Sequence, residues 1–459
     1  MMKDRRPNWL AAIVLACATG FGAGAAQADT LADALVAAYR NSNLLEQNRA
    51  VLRAADEDVA QSVAALRPAL ALAASANYTT PVQSALQDEL TGSIGLSAEL
   101  ALFDFGRNRI AIEASQQNVL ATRWALVNVE QNVLLNAVSA YMNVWSANET
   151  VRLRQSSVNV ISEELRAAQD RFEVGEVTRT DVATAEARLA AARSALSAAE
   201  GDRAIALETY NAATGNYPTG PINSPPAPPA TTSSLDEARS IAQSTHPLIR
   251  QAQFQVAGAE LNVVAAEPQR SGRIAATAGI TMDQDGNDQS RLGLSYNQPL
   301  YTGGGNSSLY RQAVARRDQS RSNLHQTALE VTQQVGNAWA QINVARAQLQ
   351  ASDLQIQAAQ IALDGAREEA SLGARTTLDV LNAEQELLDA QTTRVSAEAN
   401  RHVAVYQLLS AMGLLTVEHL NLGIPTYNPT AYYDAVRNAP ARSPQGEALD
   451  RVLQRIGRE

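Results

Sequence analysis

Two short stretches of the chain bring the same polar side chains together twice. Residues 173–182 read EVGEVTRTDV, and residues 371–380 read SLGARTTLDV. Each has a glycine (Gly175, Gly373), a threonine three positions on (Thr178, Thr376) and an aspartate three further on (Asp181, Asp379). A hydroxyl and a carboxylate at this spacing suit a helix start. The Thr accepts from the backbone N–H of the Asp, and the Asp reaches back to the Thr, with Asp in place of the usual Glu. Gly175 and Gly373 suit the left-handed position that ends the preceding helix. The spacing therefore predicts a helical hairpin, with its carboxylates near the tip. Other chemistry is poorly represented. His246, His325, His402 and His419 are isolated, without metal-ligand spacing. No Ser-His-Asp arrangement stands out. Gly303-Gly304-Gly305 follows a strand and precedes a helix, as a phosphate loop would. Its counterpart, Phe105-Gly106-Arg107, has a single Gly, so both read as a strand-to-helix bend.

These tips sit inside a duplicated plan. LFDFG at Leu102–Gly106 and LYTGG at Leu300–Gly304 stand at the same offset as the two tip glycines. The period is far too long for a solenoid repeat, so half of the molecule is written twice. Each copy opens with a helical segment, about 31–66 and about 235–267. Two alternating segments follow. Leu70, Leu72 and Tyr78 share one face, as do Ile94, Leu96 and Leu100; Ile274, Ile280 and Met282; and Leu292, Leu294 and Tyr296. Ser, Thr, Gly, Asn and Arg occupy most of the other face. These are period-2 strands of about ten residues. No proline lies between Pro81 and Pro218 or between Pro299 and Pro425. A helix over 108–173 would be ~100 Å long at about 1.5 Å per residue. Shorter helices are expected at about 176–213 and 374–412. The two shorter helices of a copy could run end to end beside the long one.

The remaining boundaries follow from composition. Residues 1–28 read as a signal peptide, with Lys3, Arg5 and Arg6 before an apolar run and Ala26-Gln27-Ala28 as the cleavage site. Cys17 gives a weak lipoprotein box, and Arg5-Arg6 a weak twin-arginine signal. Residues 29–216 form the first copy, 217–230 a proline-rich linker, 231–412 the second copy and 413–459 a tail. Tyr427, Tyr432 and Tyr433 fall in a loop-like stretch of that tail, and 445–457 suits a short helix. The net charge of −10 argues against a nucleic-acid partner. Hydrophobic residues make up 46% of the chain but aromatics only 5%, so alanine carries much of the apolar content. That composition suits helices packed side by side better than one large core. In the second copy Leu381, Leu388, Val395 and Leu409 lie at heptad spacings, beside Val380, Leu387 and Leu408, which is partial coiled-coil periodicity.

The strands set the strictest condition. Their length matches transmembrane β-strands. Four strands cannot close a barrel, and open edges in lipid would leave backbone groups unpaired. Other chains must therefore complete the sheet, two giving eight strands or three giving twelve, unless the strands lie outside a membrane.

With LFDFGRN and LYTGGGN after strands, and VGxxTxxDV and LGxxTxxDV at the tips, the chain resembles the TolC family of outer-membrane channel proteins over about residues 30–415. The resemblance implies an α+β membrane protein and a homotrimer. Four strands per protomer would make a twelve-stranded β-barrel in outer-membrane lipid, continued by a long α-helical barrel in the periplasm. It implies a passive export duct rather than an enzyme, without a cofactor. A periplasmic adaptor and an inner-membrane transporter would dock at the hairpin tips around Gly175, Thr178, Gly373 and Thr376. It also implies a periplasmic gate. Arg375 matches the arginine that the family links to the threonine and aspartate at the places of Thr180 and Asp181. Asp379 matches one acidic ring, whereas Asn382 stands where a second acidic ring would be. Ala370 replaces a tyrosine that the family also links to the arginine. The other reading is a structural or adhesive periplasmic coiled-coil protein with a small β-domain.

Overall fold

The computed structural model describes residues 29–80, 90–267 and 272–440, together with 444, 447, 448 and 451. The expected signal peptide lies outside them, as does most of the expected 445–457 helix. Four strands form one antiparallel sheet in the order β1 (Ala69–Tyr78), β2 (Leu90–Phe103), β3 (Arg273–Asp283), β4 (Asp288–Asn297). The two hairpins of the duplicated plan are thus joined into one sheet through β2 and β3. The register sorts the faces. Leu70, Ala98, Ala278 and Leu292 form one row across all four strands, and Ala71, Ser97, Gly279 and Arg291 form the next. One face is therefore apolar and the other small and polar. In the isolated chain the apolar face is uncovered: Leu292 is 86% exposed and Leu70 72%. β1 and β4 are both open edges.

Each sheet strand that leaves the hairpins turns into a helix through a left-handed glycine, Gly106 at φ 85° and Gly304 at φ 88°. The helices that follow, α3 (Arg107–Glu173) and α7 (Gly305–Ser371), have 67 residues each. The shorter partners are α4 (Arg179–Thr214) and α8 (Thr377–Ala411). α4 and α2 (Asn43–Ala64) both pack on α3, so two short helices do accompany one long one. α6 (Pro247–Ala266) lies against both α3 and α7.

Two expectations need correction. The opening helical segments are each broken in two. α1 (Leu31–Asn41) ends at Ser42, whose extended backbone lets its side chain cap α2 by accepting from the Leu45 N–H. α5 (Leu235–Thr245) ends at His246, and Pro247 starts α6 at a position where its missing N–H is not needed. The tail is not wholly a loop either. Tyr432 and Tyr433 lie in α9 (Thr430–Val436), where the Tyr432 hydroxyl donates to Glu57 at 2.7 Å.

The main core sits at mid-length, where α1 and α2 meet the centre of α3, the end of α8 and the tail residues Leu415 and Val417. Towards the tips only small clusters remain, and the heptad positions of α8 supply them. Leu381 packs with Ile161, Ala185 and Leu189, and Val380 and Leu387 pack with Leu363.

Two histidines are packing residues: His246 is 3% exposed and His402 1%. Burial pushes the pKa of each down from 6.5 to about 4. Both are neutral in the folded chain and charge on unfolding below pH about 6.5. Stability is then full above 6.5 and falls as pH drops towards 4, by up to about 1.4 kcal/mol per pH unit for each histidine. The urea midpoint at pH 5 is expected to lie below that at pH 7, with the difference reduced in His402→Leu.

Candidate functional site

The two tips are near-copies at atomic level. In the first, the Gly175 and Glu176 N–H groups bond back to the carbonyls of Phe172 (3.0 Å) and Arg171 (2.9 Å), closing α3. In the second, Gly373 and Ala374 do the same to Ala370 (3.1 Å) and Glu369 (2.9 Å), closing α7. Both glycines need a left-handed backbone, φ 81° at Gly175 and 77° at Gly373. Both capping boxes are complete. Asp181 Oδ2 accepts from the Thr178 N–H at 2.9 Å and hydroxyl at 2.7 Å. Asp379 Oδ2 accepts from the Thr376 N–H at 3.0 Å and hydroxyl at 2.8 Å.

These bonds set the charge. The Thr178 hydroxyl and N–H hold the Asp181 carboxyl below its ordinary range. The Thr376 N–H and hydroxyl do so for Asp379, aided by nearby Arg375. Hydrogen bonds to the ionised form favour it. Mutual repulsion among ring carboxylates, expected to raise their pKa values, would have to act against this local bias.

The protomer brings only some of the expected gate residues together. Arg375 does not reach Thr180 or Asp181. Its Nε donates to Glu369 at 2.6 Å, within its own tip. Thr180 is exposed on the first turn of α4. Asn382 is exposed on α8, and its Oδ1 accepts from the Arg188 guanidinium of α4 at 2.9 Å. A second bridge lies higher up. Arg367 of α7 pairs with Glu384 of α8 at 3.3 Å and with Glu164 of α3 at 3.7 Å. Burial raises the pKa of the Glu384 carboxyl, and Arg367 opposes the rise. Glu369, Arg188, Arg367, Glu164 and Glu384 were not marked by any local motif. Their partners come from other helices or from across the turn.

The hairpin tips therefore carry half-buried carboxylates, Asp181 and Asp379, in fixed geometry. The sheet at the opposite end has a bare apolar face. No helix among the described residues is long and apolar enough to cross a membrane, which says nothing of a β-barrel.

Comparisons with known proteins agree with this arrangement. The profile of the outer membrane efflux protein family matches residues 34–216 and 238–414. The outer membrane efflux protein BepC of Brucella suis biovar 1 (strain 1330) is 37% identical over 451 residues, covering 95% of this chain and 97% of that protein. The outer membrane protein TolC of Escherichia coli (strain K12) is 25% identical over 415 residues, covering 85% and 84%. In fold, the Campylobacter jejuni CmeC outer membrane channel superposes with a TM-score of 0.73 at 16% identity, covering 89% of each chain. The two halves of the chain, each with its hairpin tip, thus match one known pattern, and the chain belongs to the outer membrane efflux protein family.

Proposed function

We propose that three copies of this chain assemble into a passive export duct, gated at its periplasmic tips. Family membership makes the protein an outer-membrane efflux channel component. The observation that carries the trimer is the sheet: four strands, one apolar face and two open edges. Lipid tolerates no open edge. Three such sheets, joined β4 to β1, give the twelve strands of a closed barrel, within the size range of outer-membrane barrels. The small polar face, with Ser97, Gly279 and Arg291 in one row, then lines a watery lumen. The helices hang below as a second, α-helical barrel. Cleavage after Ala28 would deliver the chain to the periplasm.

At the far end the paired tips offer a docking edge for a periplasmic adaptor and an inner-membrane transporter. That transporter would choose the cargo. In the trimer, Asp379 of each copy would line a constriction. Arg375 would leave Glu369 for, or share it with, Thr180 and Asp181 of a neighbouring tip. Arg375→Ser is expected to loosen that closed end and raise the resting conductance several-fold. A resting conductance equal to that of the wild type would remove the link between tips.

The assembly is tested by fractionation. The account expects a heat-modifiable trimer in the outer membrane. A monomer in the soluble periplasm would contradict it, and would return the chain to an adhesive or scaffolding role.

A further inference from the structure

The seam between the two hairpins carries a charge that the duct reading leaves unused. Leu381 of α8, 3% exposed, is seated among Ile161, Ala185 and Leu189 of the first hairpin. That packing fixes the next residue, Asn382, against α4. There the Arg188 guanidinium donates to Asn382 Oδ1 at 2.9 Å. Among the described residues no carboxylate pairs with Arg188. Arg367, which also reaches α8, is by contrast met by Glu384 and Glu164. Asn382 lies three residues after Asp379 on α8, so the two share a helix face at about 5–6 Å between Cβ atoms. The guanidinium bonded to Asn382 therefore stands about one helical turn further along α8 than that carboxylate.

We propose that Arg188 is a selectivity-determining residue of the gate, and this rests on the trimeric duct reading. Each copy sets one guanidinium about one helical turn from one Asp379 carboxylate. Three positive charges then partly offset three negative ones at the constriction. Asn382 holds Arg188 in place through a neutral acceptor, which leaves the positive charge uncancelled. A carboxylate at 382 would both add an acid and neutralise the arginine. The chain thus tempers the attraction of its constriction for cations, by a residue from the hairpin opposite the one that carries the acid.

The test is planar-bilayer recording of the purified trimer in a salt gradient, with hexamminecobalt as the blocking cation. In Arg188→Gln, which keeps a donor for Asn382 and removes the charge, the reversal potential is expected to move towards cations. The half-blocking concentration is expected to fall roughly tenfold. Asn382→Asp is the second variant. Its new carboxylate meets Arg188 and cancels its charge, so the half-blocking concentration is expected to fall as it does in Arg188→Gln. Two results would overturn the proposal. One is an Arg188→Gln trimer with unchanged reversal potential and block. The other is an Asn382→Asp trimer whose block is unchanged. Failure of the wild-type chain to form conducting trimers would instead refute the duct itself.

Discussion

Leu292→Arg is expected to abolish the outer-membrane trimer, whereas Ser295→Arg, three residues along the same strand, leaves it intact. Leu292 sits in the middle of β4 and is 86% exposed in the single chain. It ends the apolar row that runs through Leu70, Ala98 and Ala278. On a barrel that row faces lipid. An arginine at the membrane midplane costs about 2–4 kcal/mol, and a trimer carries three. The sum is comparable to the whole stability of an ordinary domain, about 5–15 kcal/mol. Ser295 points the other way, beside Ala275 on the face that already holds Arg273 and Arg291. A further arginine there enters water. The check is the amount of heat-modifiable trimer in outer-membrane fractions. Equal loss in both variants would mean that the two faces do not divide lipid from lumen.

Asp379→Asn is expected to remove most of the block that multivalent cations impose on the resting channel. The side chain is half-buried at the tip, in the first turn of α8, and its capping role uses a single oxygen, Oδ2. Asn supplies an acceptor of the same shape, so the capping box and hairpin survive the change. What disappears is the charge. Capping bonds from Thr376 hold the Asp379 pKa low, so each wild-type carboxylate is ionised at neutral pH. In the proposed trimer, three copies around one axis would concentrate cations in the opening, an effect worth about tenfold or more in local concentration for a narrow charged cleft. The half-blocking concentration of hexamminecobalt is expected to rise by that factor. Because the low pKa comes from local bonds, block should persist unchanged as pH falls from 7 to 5. Block that survives Asp379→Asn would place the constriction elsewhere on the helices.

The parts of this design that could be read from the sequence are those whose physics is local or periodic. Alternation over 70–78 and 292–296 gives strands because a pleat puts every second residue on one face. The tips are legible because Gly175 and Gly373 must adopt a left-handed backbone, and Thr and Asp three apart close a capping box. The break at His246 was signalled by Pro247. The break at Ser42 carried a subtler sign in Asn41-Ser42-Asn43, residues that favour caps and turns over helix interiors. Tyr432 and Tyr433 looked irregular because α9 is only a seven-residue helix, with little room for periodicity. It is held by packing on α2 and by the bond to Glu57. The contacts around the hairpin tips were the least legible part. Arg375 takes Glu369, six residues back across a turn, and Asn382 takes Arg188 from another hairpin. Neither pairing has a sequence period, and both arise only once α4 and α8 are packed.

The same distinction explains the two ends of the molecule. The sheet needs only a face and an open edge, which four short alternating segments supply. The tip region depends on which side chains meet between helices drawn from distant parts of the chain. Substitutions on the sheet should therefore act on assembly, and substitutions at the tips on conductance and selectivity.

The most direct measurement is single-channel recording from the purified, heat-modifiable species in a planar bilayer. Discrete insertions of a trimer are expected, with a small, cation-preferring resting conductance that rises in Arg375→Ser. A monomeric species, or a trimer that inserts without any conductance, would contradict the trimeric duct.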